Sequence, residues 1–182
     1  DNDSISLEDI TDLCHHVVIT GYNATSEVVA RLLEVKKINY IIVEPDLKRV
    51  RSGRRKGYPI FQGDANKVEN LRAISLEHAK AVIVTISDNV LMKKVIRSVN
   101  KHFPTIPIVV RADDLRNAQT LEKIGATSIV PEKYESGLQL AGELLKALDI
   151  SEYDISKLKN QFRTANYELS KELIPTTNND NA

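Results

Sequence analysis

Two positions in this sequence carry most of its chemical content. Gly21 follows three consecutive β-branched residues, Val17, Val18 and Ile19, and precedes Val28, Val29, Leu32 and Leu33 at helical spacing. A glycine where a strand turns into a helix makes a tight turn that aims the helix's orphan N–H groups and the positive end of its dipole at an anion. Glu44 lies 23 positions after Gly21 and ends a second apolar run, NYIIVE. That is close to the offset of roughly 20 residues at which a dinucleotide-binding unit places the carboxylate for its ribose hydroxyls. An anion seat followed at that distance by a ribose acceptor is nucleotide chemistry. The turn is a degraded form of G-x-G-x-x-G, because its three glycine positions are Gly21, Asn23 and Ser26. Asn tolerates left-handed backbone and Ser is small, so the fold survives both changes while tight pyrophosphate binding is weakened.

Other clusters read more plainly. Lys48, Arg49, Arg51, Arg54, Arg55 and Lys56 form the densest positive run. Such a run is ordinarily a solvated helix face, and its functional reading is attraction to phosphate or to anionic lipid headgroups. Gly63-Asp64-Ala65 is a turn in which Asp can cap a helix, and Ser87 or Asp88 can do the same further on. Arg111 follows an apolar run and has Asp113 and Asp114 as ion-pair partners. Cys14, His15 and His16 are adjacent, so an extended chain points neighbouring side chains to opposite faces and no metal site is expected. His78 and His102 lack ligand-spaced partners.

The elements that must position these residues alternate regularly. Apolar runs at 17–19, 39–44, 58–62, 79–86, 108–110 and 127–130 predict six strands, and helical patterns separate them. The fold class is therefore α/β, a Rossmann-like doubly wound parallel sheet followed by C-terminal helices. Residues 1–14 read as an acidic lead-in, 15–131 as the nucleotide-binding domain, 132–170 as crossover and interaction helices, and 171–182 as a polar, disordered tail. In the third of these segments Leu138, Leu140, Ala141, Leu144, Leu145 and Leu148 make a broad apolar face. Ile155, Leu158, Phe162, Ala165 and Leu169 follow with heptad spacing. Surplus apolar surface on 138–148, and on the helix carrying Met92 to Phe103, predicts a homodimer or larger assembly.

Composition narrows the class. Lys plus Arg and Asp plus Glu are 25 each, which gives no basic excess for nucleic acid. A single cysteine excludes an internal disulfide framework, and no apolar run reaches the roughly 20 residues of a membrane helix. The start at Asp1 reads as a fragment or a processed chain. Beyond Pro131 only helices follow, so a dehydrogenase would lack its substrate domain, and no nucleophile–base arrangement stands out.

The motifs HVVITGY, IIVEPD, FQGDAN, AVIVTISDN, KHFPTIPIVVRADD and LEKIGATSIVPE together resemble the RCK (TrkA-N) domains that regulate potassium channels and transporters, and especially the cytoplasmic domains of Kef-type potassium efflux antiporters. The resemblance spans roughly His16 to Leu148, most of the chain. It implies a non-enzymatic regulatory domain on the cytoplasmic side of the inner membrane, attached to a transporter domain of the same protein or to a separate transport subunit. It also implies an adenine nucleotide ligand. Gly21, Tyr22 and Asn23 would form the phosphate turn, Glu44 with Asp46 would hold the ribose, and Asp64 with Ala65 would line the adenine side. Ser87 would face the same crevice, and Arg111 would lie near effector and subunit contacts. A mononucleotide makes less use of the missing second glycine, so an AMP-like ligand is favoured over NAD(H). The alternatives are a potassium-channel gating ring and, in third place, an NAD-dependent oxidoreductase. Arg111 stands where channel versions place carboxylates at the end of the fifth strand, which argues against their metal site.

Overall fold

The computed structural model describes residues 13–167, and these divide into two compact units, one ending at Pro131 and the other beginning at Glu132. The expected lead-in, the tail and the end of the heptad seam at Leu169 lie outside the described residues.

In the first unit six parallel strands, β1 (Val17–Thr20), β2 (Tyr40–Glu44), β3 (Ile60–Gln62), β4 (Ala81–Val84), β5 (Ile108–Ala112) and β6 (Ser128–Pro131), lie in the order 3-2-1-4-5-6. The connecting helices are α1 (Ala24–Val35), α2 (Leu47–Arg55), α3 (Val68–Ala73), α4 (Asn89–His102) and α5 (Leu115–Lys123), with a short 3-10 turn at Leu76–His78. The strands are brief apolar runs because both faces are covered, as a parallel sheet requires. On one face Val18, Ile41, Val43, Val82, Val84, Ile108 and Val110 pack with Leu71, Met92, Val95, Ile96, Val99 and Leu121. On the other, Ile19, Tyr40, Ile42 and Ile60 pack with Tyr22, Ala30, Val50 and Tyr58. Thr20 is level with Val43 and with Val84, so Gly21, Glu44 and Thr85 reach one edge together. This is the edge where the connections leave β1 in one direction and β4 in the other, the switch point at which such sheets bind ligands.

Helix caps fix the starts. Asp46, Asp88 and Asp114 each accept from the backbone N–H three residues on. The expectation of surplus apolar surface on the helix from Met92 to Phe103 is overturned. Met92, Val95, Ile96, Val99 and Phe103 are all core, and the exposed apolar residues of α4 are Val90 and Leu91.

The second unit pairs α6 (Glu132–Ala147) with α7 (Glu152–Thr164). They meet at Gly142, where an added Cβ would lie 2.7 Å from Lys159 Cε and 3.3 Å from Ile155 Cγ2. Arg163 donates to Glu135 at 2.8 Å, and the Tyr167 hydroxyl donates to the same carboxylate. Leu140, Leu144 and Leu148 recur every four residues along α6 and into the turn after it, and all three are exposed. Helix α7 ends before Ala165, the last seam position among the described residues. Asn166 (φ 54°) and Tyr167 (φ 59°) are left-handed, which stops the helix after Thr164. No described helix is long and apolar enough to cross a membrane.

Candidate functional site

At the switch-point edge the chain encloses a cavity of about 380 Å³, bounded by the ends of β1, β2 and β4 and by the segments that follow β3 and β4. Gly21 makes the turn its sequence predicts. Its φ is +97°, and a Cβ there would sit 2.9 Å from Thr85 Oγ1 and 3.3 Å from Ile86 Cγ1. Glycine is therefore required both by backbone conformation and by the closeness of β4.

The missing glycines are replaced by a capping device. Asn23 Oδ1 accepts from Ser26 N at 3.1 Å, and Ser26 Oγ accepts from Asn23 N at 2.7 Å. Asn23 Nδ2 also donates to the Thr85 carbonyl at 2.8 Å. Thr85 Oγ1 in turn lies 2.9 Å from the Thr20 carbonyl and 3.0 Å from that of Gly21. Two donors of the helix N-terminus are thus satisfied within the chain, leaving fewer for a phosphate.

Glu44 lines the cavity although its side chain is only 3% exposed, and Arg49 NH1 approaches its Oε1 at 3.3 Å. Burial pushes the Glu44 carboxyl above the usual carboxylate range, and the Arg49 guanidinium opposes that shift. A carboxylate with little solvent and one flexible partner is suited to accept hydrogen bonds from vicinal hydroxyls. Asp64 caps its own turn, accepting from Asn66 N at 2.9 Å, and Ala65 is buried behind it.

Of the nine candidates, Gly21, Asn23, Glu44, Asp46, Asp64, Ala65 and Ser87 all line this cavity. Tyr22 lies beside it. The Tyr22 side chain is buried against Tyr58, and its hydroxyl donates to Glu27 at 2.7 Å. Arg111 does not line the cavity, because β4 stands between β5 and the turn. Its NH2 donates to the Ser87 carbonyl at 2.9 Å and its NH1 to Asp113 at 2.9 Å, so it positions the Ser87 loop. Arg49 and Asn66 are lining residues that the motifs did not single out. Arg49 was one member of a charge run. Its distinguishing signal was its place in the first turn of a helix that starts three residues beyond Glu44. Two other members of the run turn elsewhere: Arg54 holds the Ile60 carbonyl at 2.8 Å, and Lys56 pairs with Glu27 at 3.1 Å. Among the described residues no group of His, Cys, Asp and Glu could hold a metal ion.

A family model described as the TrkA-N domain matches residues 17–132. K(+) efflux antiporter 2, chloroplastic, of Arabidopsis thaliana is 31% identical over 153 residues, covering 84% of this chain and 13% of that protein. The chain thus spans a small part of the length of its curated relatives. Among solved structures, the Kef CTD of Shewanella denitrificans in AMP-bound form is 25% identical with a TM-score of 0.70, covering 84% of this chain and 92% of that one. The TrkA-N domain of the Escherichia coli inner membrane protein ybaL is 26% identical with a TM-score of 0.67, covering 74% of this chain and 98% of that one.

Proposed function

The chain belongs to the TrkA-N domain family, and from that premise we propose that it is the ligand-sensing domain of a Kef-type potassium efflux system, taking up an adenine nucleotide in the crevice lined by Gly21, Glu44 and Asp64. The observation that carries this reading is Glu44, a buried carboxylate facing a cavity at the switch point of a parallel sheet. Glu44, with Asp46 beside it, receives the ribose, while Asp64 and Ala65 line the adenine side. AMP is favoured over NAD(H), since Asn23 and Ser26 occupy donors that a pyrophosphate would use. The similarity to a Kef domain in AMP-bound form supports the same choice.

In this reading the domain works on the cytoplasmic side of the inner membrane and catalyses nothing. It is attached to a transporter domain of the same protein or to a separate transport subunit, and it pairs with a second copy through the exposed Leu140, Leu144 and Leu148 of α6. Occupancy of the crevice shifts the population between two arrangements of the pair, and the transporter responds to that difference. A potassium-channel gating ring is the second reading.

Thermal-shift titration with AMP, ADP, ATP and NAD(H) tests the ligand, because a molecule that binds only the folded state raises its melting temperature. No shift with any of them at millimolar concentration sinks the nucleotide reading. Light scattering tests the assembly: an oligomer that Leu144→Asp dissociates is the expected result, and a monomer at high micromolar concentration removes this mode of response.

A further inference from the structure

Resting on the adenine-nucleotide reading, we propose that the ligand's 5′ phosphate is held by side chains of α2, namely Lys48, Arg49 and Ser52, rather than by the backbone of the glycine turn. A second groove of about 430 Å³ lies beside the crevice, lined by Tyr22, Asn23, Lys48, Arg49, Ser52 and Ser87. Asn23, Arg49 and Ser87 line both spaces, so the groove continues the crevice outward past Glu44. A ribose held at Glu44 therefore has its 5′ substituent within reach of this groove.

Residue chemistry in the groove suits a monoester dianion. Lys48 and Ser52 stand four residues apart on α2, one helical turn, and so share a face, and Arg49 precedes Ser52 by three. Lys48 is exposed and makes no ion pair among the described residues. The Arg49 side chain is 65% exposed and meets Glu44 only at its NH1, so its remaining donors can turn toward an anion. The Tyr22 hydroxyl is committed to Glu27 and serves as wall rather than donor. In the glycine turn, by contrast, Asn23 N and Ser26 N already donate within the chain.

Charge also orders the ligand. Glu44 repels phosphate and attracts hydroxyls, and Arg49 sits between the carboxylate and the groove, so sugar and phosphate sort to opposite sides of one guanidinium. Two cationic side chains and a hydroxyl replace the backbone cradle. Asn23 N and Ser26 N are already committed at the turn, so a second phosphate meets fewer donors there and a dinucleotide gains little over the mononucleotide.

Isothermal titration with AMP and with adenosine decides the matter on the wild-type protein, on the Lys48→Ala/Ser52→Ala double variant and on Arg49→Lys. Wild type should bind AMP about tenfold or more tighter than adenosine. The double variant should bring AMP to within about threefold of adenosine and leave adenosine unmoved, since neither residue reaches the ribose side. Arg49→Lys keeps a charge opposite Glu44 but loses the planar fork, so AMP should weaken more than adenosine does. Unchanged melting temperatures will report that both variants fold. If AMP affinity is unmoved in the double variant, if AMP and adenosine weaken by the same factor, or if wild type binds them equally, the seat is overturned and the nucleotide reading stands. If wild type binds neither, that reading falls and the seat falls with it.

Discussion

His16 and Glu44 are buried ionisable side chains at opposite edges of the sheet, and the pair behaves in opposite ways. His16, just before β1, is fully enclosed, and its Nε2 lies 2.9 Å from the Ile74 carbonyl while Nδ1 has no partner among the described residues. Burial is the main reason its pKa falls below the ordinary histidine value; His78 lowers it further, and the Ile74 bond and Glu77 oppose. Glu44, at the end of β2, is nearly as enclosed, yet it opens on a cavity and meets the exposed Arg49. Its pKa rises through burial and Asp46, against Arg49. Burial alone therefore does not single out a candidate binding residue. What separates the two is a vacant space on one side and an exposed partner.

Perturbing each residue sharpens this contrast. The largest effect is expected from His16→Ala, which removes the bond to Ile74 and opens a hole in the core, costing about 3 kcal/mol in urea unfolding. Glu44→Gln should instead leave stability at neutral pH unchanged or improved, because no charge is buried, while weakening adenosine by about tenfold. If both substitutions destabilise equally, Glu44 is a structural group and the contrast is lost.

Stability against pH separates them further. His16 has a lowered folded pKa, so its contribution is present above the ordinary histidine value and is lost as pH falls to and through the lowered one. Glu44 has a raised folded pKa, so its contribution is present below the ordinary carboxylate value and is lost as pH climbs through the raised one. The two slopes oppose each other and overlap between the ordinary carboxylate and histidine values, so together they give a shallow dip in stability there. His16→Gln should remove the rise toward neutral pH and Glu44→Gln the fall away from acid pH, which denaturation midpoints across pH 4–8 can read, within about 1 kcal/mol each. The smallest effect is on cofactor choice. NADP should bind about threefold weaker than NAD, since Glu44 repels a 2′-phosphate, and Glu44→Gln should erase the difference.

Much of this was legible in the residues themselves. The period change at Gly21, the Glu44 offset and the apolar runs locate the sheet and the crevice because they report backbone requirements. The seam and the stripes were read less well. Met92, Val95, Ile96 and Val99 repeat as Leu140, Leu144 and Leu148 do, yet the former line the core and the latter face outward. Spacing reveals an apolar face without revealing what covers it. Asn23 and Ser26 looked like lost glycines, although Asn-x-x-Ser is itself a capping pattern whose reciprocal bonds keep the turn intact. His16 was hidden in Cys14-His15-His16, and no spacing rule distinguishes a buried histidine from its exposed neighbour.

The hydroxyl of Thr85 has a mechanical consequence. It clips the carbonyls at the end of β1, while the Thr85 carbonyl takes the amide of Asn23, so the turn is sewn to the neighbouring strand on both sides. One wall of the crevice is thereby an anvil, set before any ligand arrives. Displacement on filling then falls on the opposite wall, at the first turn of α2 after Pro45, where exposed Arg49 meets Glu44 by a salt bridge, while buried Val50 and Arg54 hold the rest of the helix to the sheet. Amide exchange should find 21–26 equally slow with and without nucleotide, and 47–50 slowed only when it is bound.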